Sequence, residues 1–398
     1  MIPKINRRIA IKWTLQSTAL LGLGTLGQSV SGDHTLRLRQ IDEPEIDGST
    51  AWFDVENWEV EGRAYRETAK PFDRFPAKAE ASLRKAVWDL SRHSAGMVAR
   101  FATDSPVVKV RYQLSSPRLA MNHMPATGVS GVDLYARTEG GDLRWVNVSR
   151  PTKTSVEATL ANGIDSLSRS NSEPESREFA LYFPLYNGVE KLEIGIEKSA
   201  KLKPMSARKK PIVFYGTSIM HGACASRPGM SISSILGRRL NCPVVNLGFS
   251  GNGKMELPVA DLIGELDPSV IAVDCLPNMN GKLVSERAVP FVKRLRKYHP
   301  EIPILLVEDR AMTNSVFYQR SKDFHQQNRA SLEAAYQSLL GAGENNIFYL
   351  DGQKLLGSDG EGATDGSHPS DLGMVRYADA YEPVLRSMLK GKRNQGTR

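Results

Sequence analysis

The chain has 398 residues, 40% of them hydrophobic and 24% charged, which supplies more than one buried core and excludes a disordered chain. Its formal charge is +8, but Lys4, Arg7, Arg8 and Lys12 fall in an acid-free stretch over 1–31, so the remainder carries only four net positive charges. No clustering of basic with aromatic residues accompanies that charge, and a nucleic-acid partner is not expected.

The N-terminal stretch reads as an export signal, residues 1–31. "KINRRIAIK" is basic, "WTLQSTALLGLGTLG" is apolar but too short for a comfortable membrane span, and Ser29-Val30-Ser31 is a small-x-small cleavage site. Arg7-Arg8 resembles a twin-arginine signal; an ordinary secretory signal is the alternative. The expected product starts at Gly32, is periplasmic or extracellular, and has no stable membrane insertion after cleavage.

Residues 32–200 alternate apolar and polar in short runs. "VWDLSR", "MVARFATD", "VVKVRYQL", "VDLYARTE", "LRWVNVSR", "EFALYFPLY" and "KLEIGIEK" are separated by Gly, Ser, Asn and Pro turns. This pattern predicts an all-β sandwich, jelly-roll-like, with no helix between 87 and 197. The polar stretch 161–176 reads as an exposed loop. Within "RLAMNHMPATG", Met121, His123 and Met124 are an odd set for a plain turn; His123 and Met124 are candidate substrate-binding residues, with a local packing loop as the alternative.

A basic joint, 199–210, separates this part from a second rhythm over 210–392. The apolar runs "IVFY", "PVVNLGF", "SVIAVDCL", "IPILLVED" and "NIFYL" alternate there with helical patterns near 230–240, 256–266, 284–298, 322–341 and 371–389. Such βαβ alternation predicts a parallel sheet with helices on both faces, and ligands bind such sheets at the carboxyl rim of the strands.

Ser218, in "PIVFYGTSIMHG", directly follows the first of these strands. A helix-capping serine would need no chemistry; a nucleophile needs a base and an orienter for that base. Among seven histidines, His368 sits in "ATDGSHPSDLG", with Asp365 three residues before it. A D-x-x-H loop can set the carboxylate on one imidazole nitrogen and turn the other outward. His221 lies on the same turn as Ser218, too close in sequence to be the preferred base. "NLGFSGNG", 246–253, offers backbone N–H groups for a developing oxyanion, and "DCLPNM", 274–279, offers the Asn278 amide. Each block follows a strand or precedes the last helix, so one rim can gather them all.

Ser218, Gly251, Asn278 and His368 resemble, in order, the four motif blocks of the SGNH (GDSL-type) hydrolases. The first block departs from G-D-S, since this chain has Gly216-Thr217-Ser218; the third lacks the usual glycine before and aspartate after Asn278. "GVSGVDLYAR", 128–137, is similar to the G-x-D-L-Y β-domain that precedes some bacterial SGNH esterases. The resemblance implies a flavodoxin-like three-layer α/β/α catalytic domain over 210–392. It implies a Ser218-His368-Asp365 triad and an oxyanion hole of the Ser218 and Gly251 amides with Asn278. Hydrolysis of short, acetyl-type O-acyl esters follows as an expectation, with an O-acylated carbohydrate, small molecule or polysaccharide, as the expected substrate and with no metal and no organic cofactor needed. Two other readings stay open: a glycan-binding protein on an inactive scaffold, and an O-acyltransferase using the same triad.

The cysteines, Cys224, Cys242 and Cys275, are odd in number and lack the CxxC or paired-histidine spacing of a zinc site. Three free thiols are expected. Strand ends place Cys224 and Cys275 on the catalytic rim and Cys242 on the opposite one, so the pair placed to meet is Cys224–Cys275.

Overall fold

The period-2 runs form strands that bury every second side chain, as in β4, whose pattern alternates half-buried and buried without a break. In chain order the first part contains β1 (Glu45–Asp47), β2 (Thr50–Asp54), α1 (Lys85–Ser91), β3 (Val98–Thr103), β4 (Val107–Leu114) and α2 (Ala126–Val129). It continues with β5 (Asp133–Arg137), β6 (Leu143–Val148), β7 (Ser155–Asn162), β8 (Arg177–Tyr182), β9 (Val189–Glu197) and β10 (Leu202–Pro204). This computed structural model describes residues 43–165 and 176–391. The export signal and the centre of the 161–176 stretch lie outside the described residues.

The strands make two five-stranded antiparallel sheets, β1-β2-β9-β4-β7 and β10-β3-β8-β5-β6. Val108, Val110, Tyr112 and Ile194 of one sheet meet Phe101, Leu134, Phe179 and Leu181 of the other in a single sandwich core.

One expectation fails here. "VWDLSR", read as a strand, is α1, and a one-turn helix, α2, also lies in the span expected to hold none. The buried residues of α1 are Val87, Trp88 and Ser91, a helical face. Lys85 and Asp89 pair one turn apart at 2.7 Å, which supports the helix from its exposed side. That face packs away from the sandwich. Val87, Trp88, Tyr65 and Phe75 join the core of the α/β part, where Phe75 stacks on Phe249 at 5.3 Å and the Tyr65 hydroxyl donates to Leu262 O at 2.6 Å.

The second part contains β11 (Ile212–Gly216), α3 (Ser218–His221), α4 (Ile232–Arg239), β12 (Val244–Gly248), α5 (Leu257–Gly264), β13 (Val270–Asp274) and α6 (Gly281–Tyr298). After these come β14 (Ile304–Val307), α7 (Gln319–Gly341), β15 (Ile347–Leu350) and α8 (Asp371–Leu389). All strand pairs are parallel, in the order β12-β11-β13-β14-β15. This is the flavodoxin-like order, and its switch point lies at β11, the strand that ends at Ser218. The strands are buried on both faces. Val213 and Tyr215 face the core under α5, α6 and α7, while Ile212 and Phe214 face the core under α4 and α8.

The joint over 199–210 is tied down rather than free. β10 pairs with β3, and Arg208 holds buried Glu61 through Nη2 at 2.7 Å and Nε at 2.9 Å. The G-x-D-L-Y segment locks the two parts from the other side. Asp133, fully buried, accepts from Arg227 Nη1 and Gly229 N, both at 2.9 Å, and from Trp145 Nε1 at 2.8 Å. The Tyr135 ring lies under the Arg238 guanidinium at 4.2 Å.

Candidate active site

Thr217 caps α3, its hydroxyl accepting from Ile219 N at 3.3 Å, so the chain leaves β11 in a tight turn and presents Ser218 at once. Ser218 is only 7% exposed. Its Oγ lies 2.8 Å from His368 Nε2. On the other side of the ring, His368 Nδ1 lies 2.7 Å from Asp365 Oδ2. The second Asp365 oxygen accepts from the backbone N–H of Ser367 at 3.0 Å and of His368 at 2.8 Å, which closes the loop on itself. Burial works to raise the Asp365 pKa, but these N–H groups and the imidazole outweigh it and hold the carboxyl down to about 2.

The loop after β12 folds over the same point. Phe249 O accepts from Asn252 N at 2.8 Å and Gly253 N at 3.0 Å. Gly251, at the tip, has φ +69 and open space where a Cβ would stand. Gly253 is glycine for a different reason, since a Cβ there would stand 1.9 Å from Gly216 O, at the end of β11. Asn278 ends the short turn Leu276–Asn278 after β13. With its amide oriented to satisfy its neighbours, Oδ1 accepts from Asn252 N at 3.0 Å and Gly253 N at 3.2 Å, which leaves the Nδ2 donors for another acceptor.

His123 also reaches this rim, its ring centroid 5.7 Å from that of His368. Met124 does not line the opening; it is buried with Ile219, Met220 and Ala225 beneath the loop. His221, the histidine nearest Ser218 in sequence, faces inward. It stacks on Tyr186 at 4.0 Å, and burial first, then the charges of Arg74 and His93, hold its pKa well below the ordinary value. It is therefore neutral, with its ring on Tyr186 and its Nε2 3.4 Å from Arg74 Nη2.

Sequence reasoning missed Arg74. This buried guanidinium donates to Leu90 O (2.6 Å), Gly248 O (2.7 Å), His93 O (2.9 Å) and Asn246 O (3.1 Å), and lies 4.8 Å from the Phe249 ring. Burial lowers its pKa to about 9, so it stays charged at neutral pH. It pins the end of β12, which carries the Gly251 turn, to the segment around α1. A lone arginine in "PFDRFP" carries no pattern that would have revealed this. The three cysteines are unpaired, with Cys224 on the catalytic rim and Cys275 fully buried.

A hydroxyl, an imidazole and a carboxylate in series, on the carboxyl rim of a parallel sheet at its switch point, define a serine-hydrolase type of α/β protein. Residues 209–386 match the GDSL-like lipase/acylhydrolase family, and residues 50–202 match the GxDLY family, described as the N-terminus of SGNH-hydrolase-type esterases. A GDSL-like lipase structure from Bacteroides ovatus is 30% identical, with TM-score 0.79, over 86% of this chain and 98% of its own. The chain belongs to the SGNH (GDSL-type) hydrolases and is an ester hydrolase of that type.

More distant structures share the fold. A salicylyl-acyltransferase from a tetracycline biosynthetic pathway is 18% identical, with TM-score 0.63 over 89% of this chain and 95% of its own. A family two carbohydrate esterase from Cellvibrio japonicus is 13% identical, with TM-score 0.54 over 86% and 98%. No curated protein matches the sequence.

Proposed function

We propose that this protein is an exported serine esterase that removes short, acetyl-type acyl groups from hydroxyls of a carbohydrate. The observation that carries the mechanism is the unbroken chain from Ser218 Oγ through His368 to Asp365, at 2.8 and 2.7 Å. His368 Nε2 takes the hydroxyl proton as Ser218 Oγ attacks the ester carbonyl. The carbonyl oxygen, now negative, is received by the Ser218 and Gly251 N–H groups and the Asn278 amide. His368 returns the proton to the leaving alkoxide, and water repeats the two steps on the acyl-enzyme. Asp365, ionised down to about pH 2, holds the imidazole tautomer and its transient charge. Each oxyanion donor is worth roughly 3–4 kcal/mol of barrier in such a site.

Export rests on the basic, apolar and small-residue order of residues 1–31. The carbohydrate assignment draws support from the two-part architecture shared with the Cellvibrio japonicus carbohydrate esterase. A second reading, acyl transfer to an alcohol acceptor, draws on the same architecture in the salicylyl-acyltransferase. The deciding experiment is turnover of acetylated sugars against longer-chain esters, with and without competing alcohol acceptors and with a Ser218→Ala control. Free acetate as the main product supports hydrolysis. Acetyl accumulation on the acceptor favours transfer, and turnover undiminished in Ser218→Ala refutes both.

A further inference from the structure

Three loops that are far apart in sequence cross on the catalytic rim. Thr127 Oγ1 donates to Ser226 O at 2.6 Å, and Ser226 in turn donates from its backbone N to Asp371 at 2.9 Å and from its hydroxyl at 2.5 Å. The 123–128 loop, the 222–226 loop and the start of α8 are thereby riveted together. Gly128 lies so close to Ala225 O that a Cβ would stand 2.2 Å from it. The crossing gathers the imidazoles of His123 and His368 and the thiol of Cys224, with one donor atom from each lying within 4.8 Å of the others.

We propose that His123, Cys224 and His368 form a binding site for a soft divalent cation such as Zn²⁺, and that occupancy switches the esterase off. Two imidazoles and a thiolate are a preferred donor set for zinc. Donors in a tetrahedral zinc site stand roughly 3.3–3.6 Å apart, as bonds of about 2.0–2.3 Å require, so small side-chain rotations close the present spacing. His368 Nδ1 is committed to Asp365, so the nitrogen it offers is Nε2, the atom that faces Ser218 Oγ. A carboxylate behind a ligating histidine is the usual arrangement for fixing its tautomer.

Cys224 is set up for this role by its backbone. It is 7% exposed and holds φ +68, a left-handed conformation that a non-glycine residue adopts only where the surroundings impose it. On binding, the thiol proton leaves to solvent, sulfur and the two ring nitrogens each donate a pair to the cation, and a fourth position stays open for water. The base for Ser218 is then occupied, and nucleophilic attack cannot begin. Such a site is invisible to motif spacing, because its residues come from positions 123, 224 and 368.

The test uses Co²⁺ as a spectroscopic stand-in on the full chain. The Ser218→Ala protein should bind one Co²⁺ and show a thiolate-to-cobalt charge-transfer band, a readout that does not depend on catalysis. Cys224→Ser should abolish the band, and His123→Ala should weaken binding at least tenfold. In activity assays Zn²⁺ should inhibit the natural chain reversibly, with chelator restoring turnover. Measured against its own metal-free turnover, Cys224→Ser should need at least tenfold more Zn²⁺ for the same fractional inhibition. Absence of stoichiometric Co²⁺ binding, or zinc inhibition unchanged in Cys224→Ser, overturns the proposal. The hydrolytic reading rests separately on turnover without metal.

Discussion

Among the described residues, two aspartate–histidine pairs share the same bond. His368 Nδ1 stands 2.7 Å from Asp365 Oδ2, and His325 Nδ1 stands 2.7 Å from Asp309 Oδ2. Their surroundings differ in every respect that matters. Asp365 is 41% exposed in its side chain, and the far nitrogen of its histidine meets a serine hydroxyl. Asp309 is fully buried after β14, and the far nitrogen of its histidine is buried with no partner. Burial works to raise the Asp309 pKa; His325 and the charge of Arg310 reverse that and hold it below the ordinary value. The pair alone therefore does not mark a catalytic site. What the second nitrogen faces does.

The two pairs are also connected. Arg310 donates to Asp309 Oδ1 at 2.5 Å and, through its other amino group, to Ser367 Oγ, the residue before His368. The interior pair thus braces the catalytic loop from below. The largest effect that can break the comparison is on the rim. Asp365→Asn should cost on the order of 10⁴ in kcat, since the wrong tautomer is then favoured, with little change in thermal stability. A loss below tenfold would put the two pairs in the same structural class. In the interior the pattern inverts. Asp309→Asn removes one partner of a buried charge network and should cost about 3–5 kcal/mol of unfolding free energy by chemical denaturation. The activity of the still-folded protein should fall far less than in Asp365→Asn, and an equal fall would assign Asp309 to the chemistry.

A third carboxyl sharpens the contrast because it has no histidine. Asp274, at the end of β13, accepts from Tyr381 at 2.6 Å through one oxygen, and its other oxygen is buried without a partner. Burial, aided by the nearby charge of Asp309, raises it to about 7. Between the unfolded value near 3.9 and about 7 the folded protein holds a proton that the unfolded chain releases. Stability should therefore fall as pH rises across that window, by up to a few kcal/mol. Asp274→Asn should flatten the slope and raise stability at pH 8. Equal slopes in both proteins between pH 5 and 8 would remove Asp274 as its source.

These contrasts track what was readable in the sequence. The five parallel strands and the helices α4 to α8 were legible because each carries an apolar run or stripe. The order of Ser218, Gly251, Asn278 and His368 was legible because βαβ connectivity sends every such loop to one rim. His325 falls in the helical pattern near 322–341 and is buried with Asn328, because polar residues on the inner face of α7 leave no apolar mark on the helical period. α1 was read as a strand because its seven residues, with apolar positions at Ala86, Val87, Trp88 and Leu90, fit both periods, and only packing against the α/β core decides between them. The crossing that brings His123 to His368 is a tertiary event with no local signal.

The smallest expected effect separates backbone conformation from packing within one loop. At Gly251 a methyl group meets open space, so Gly251→Ala pays only for holding an L-residue at φ +69, roughly 1–2 kcal/mol. The tip has two ways to respond. It can keep its conformation and carry the strain, which denaturation would read as that loss of stability at unchanged kcat. Or it can relax toward negative φ, which turns the Gly251 N–H away from the oxyanion position and moves the cost into kcat. The Phe249 O bonds to Asn252 N and Gly253 N and the Asn252 Nδ2 bond to Ser250 O hold the flanking residues, while Gly251 itself meets open space, so a rotation confined to the tip is the cheaper response. The expected outcome is a roughly tenfold drop in kcat with little loss of stability, as 1.4 kcal/mol predicts when it appears in the barrier. Gly253→Ala, where the methyl would collide with Gly216 O, should instead disrupt folding of the rim itself. A Gly251→Ala enzyme with full kcat and lowered stability would show that this N–H does not serve the oxyanion.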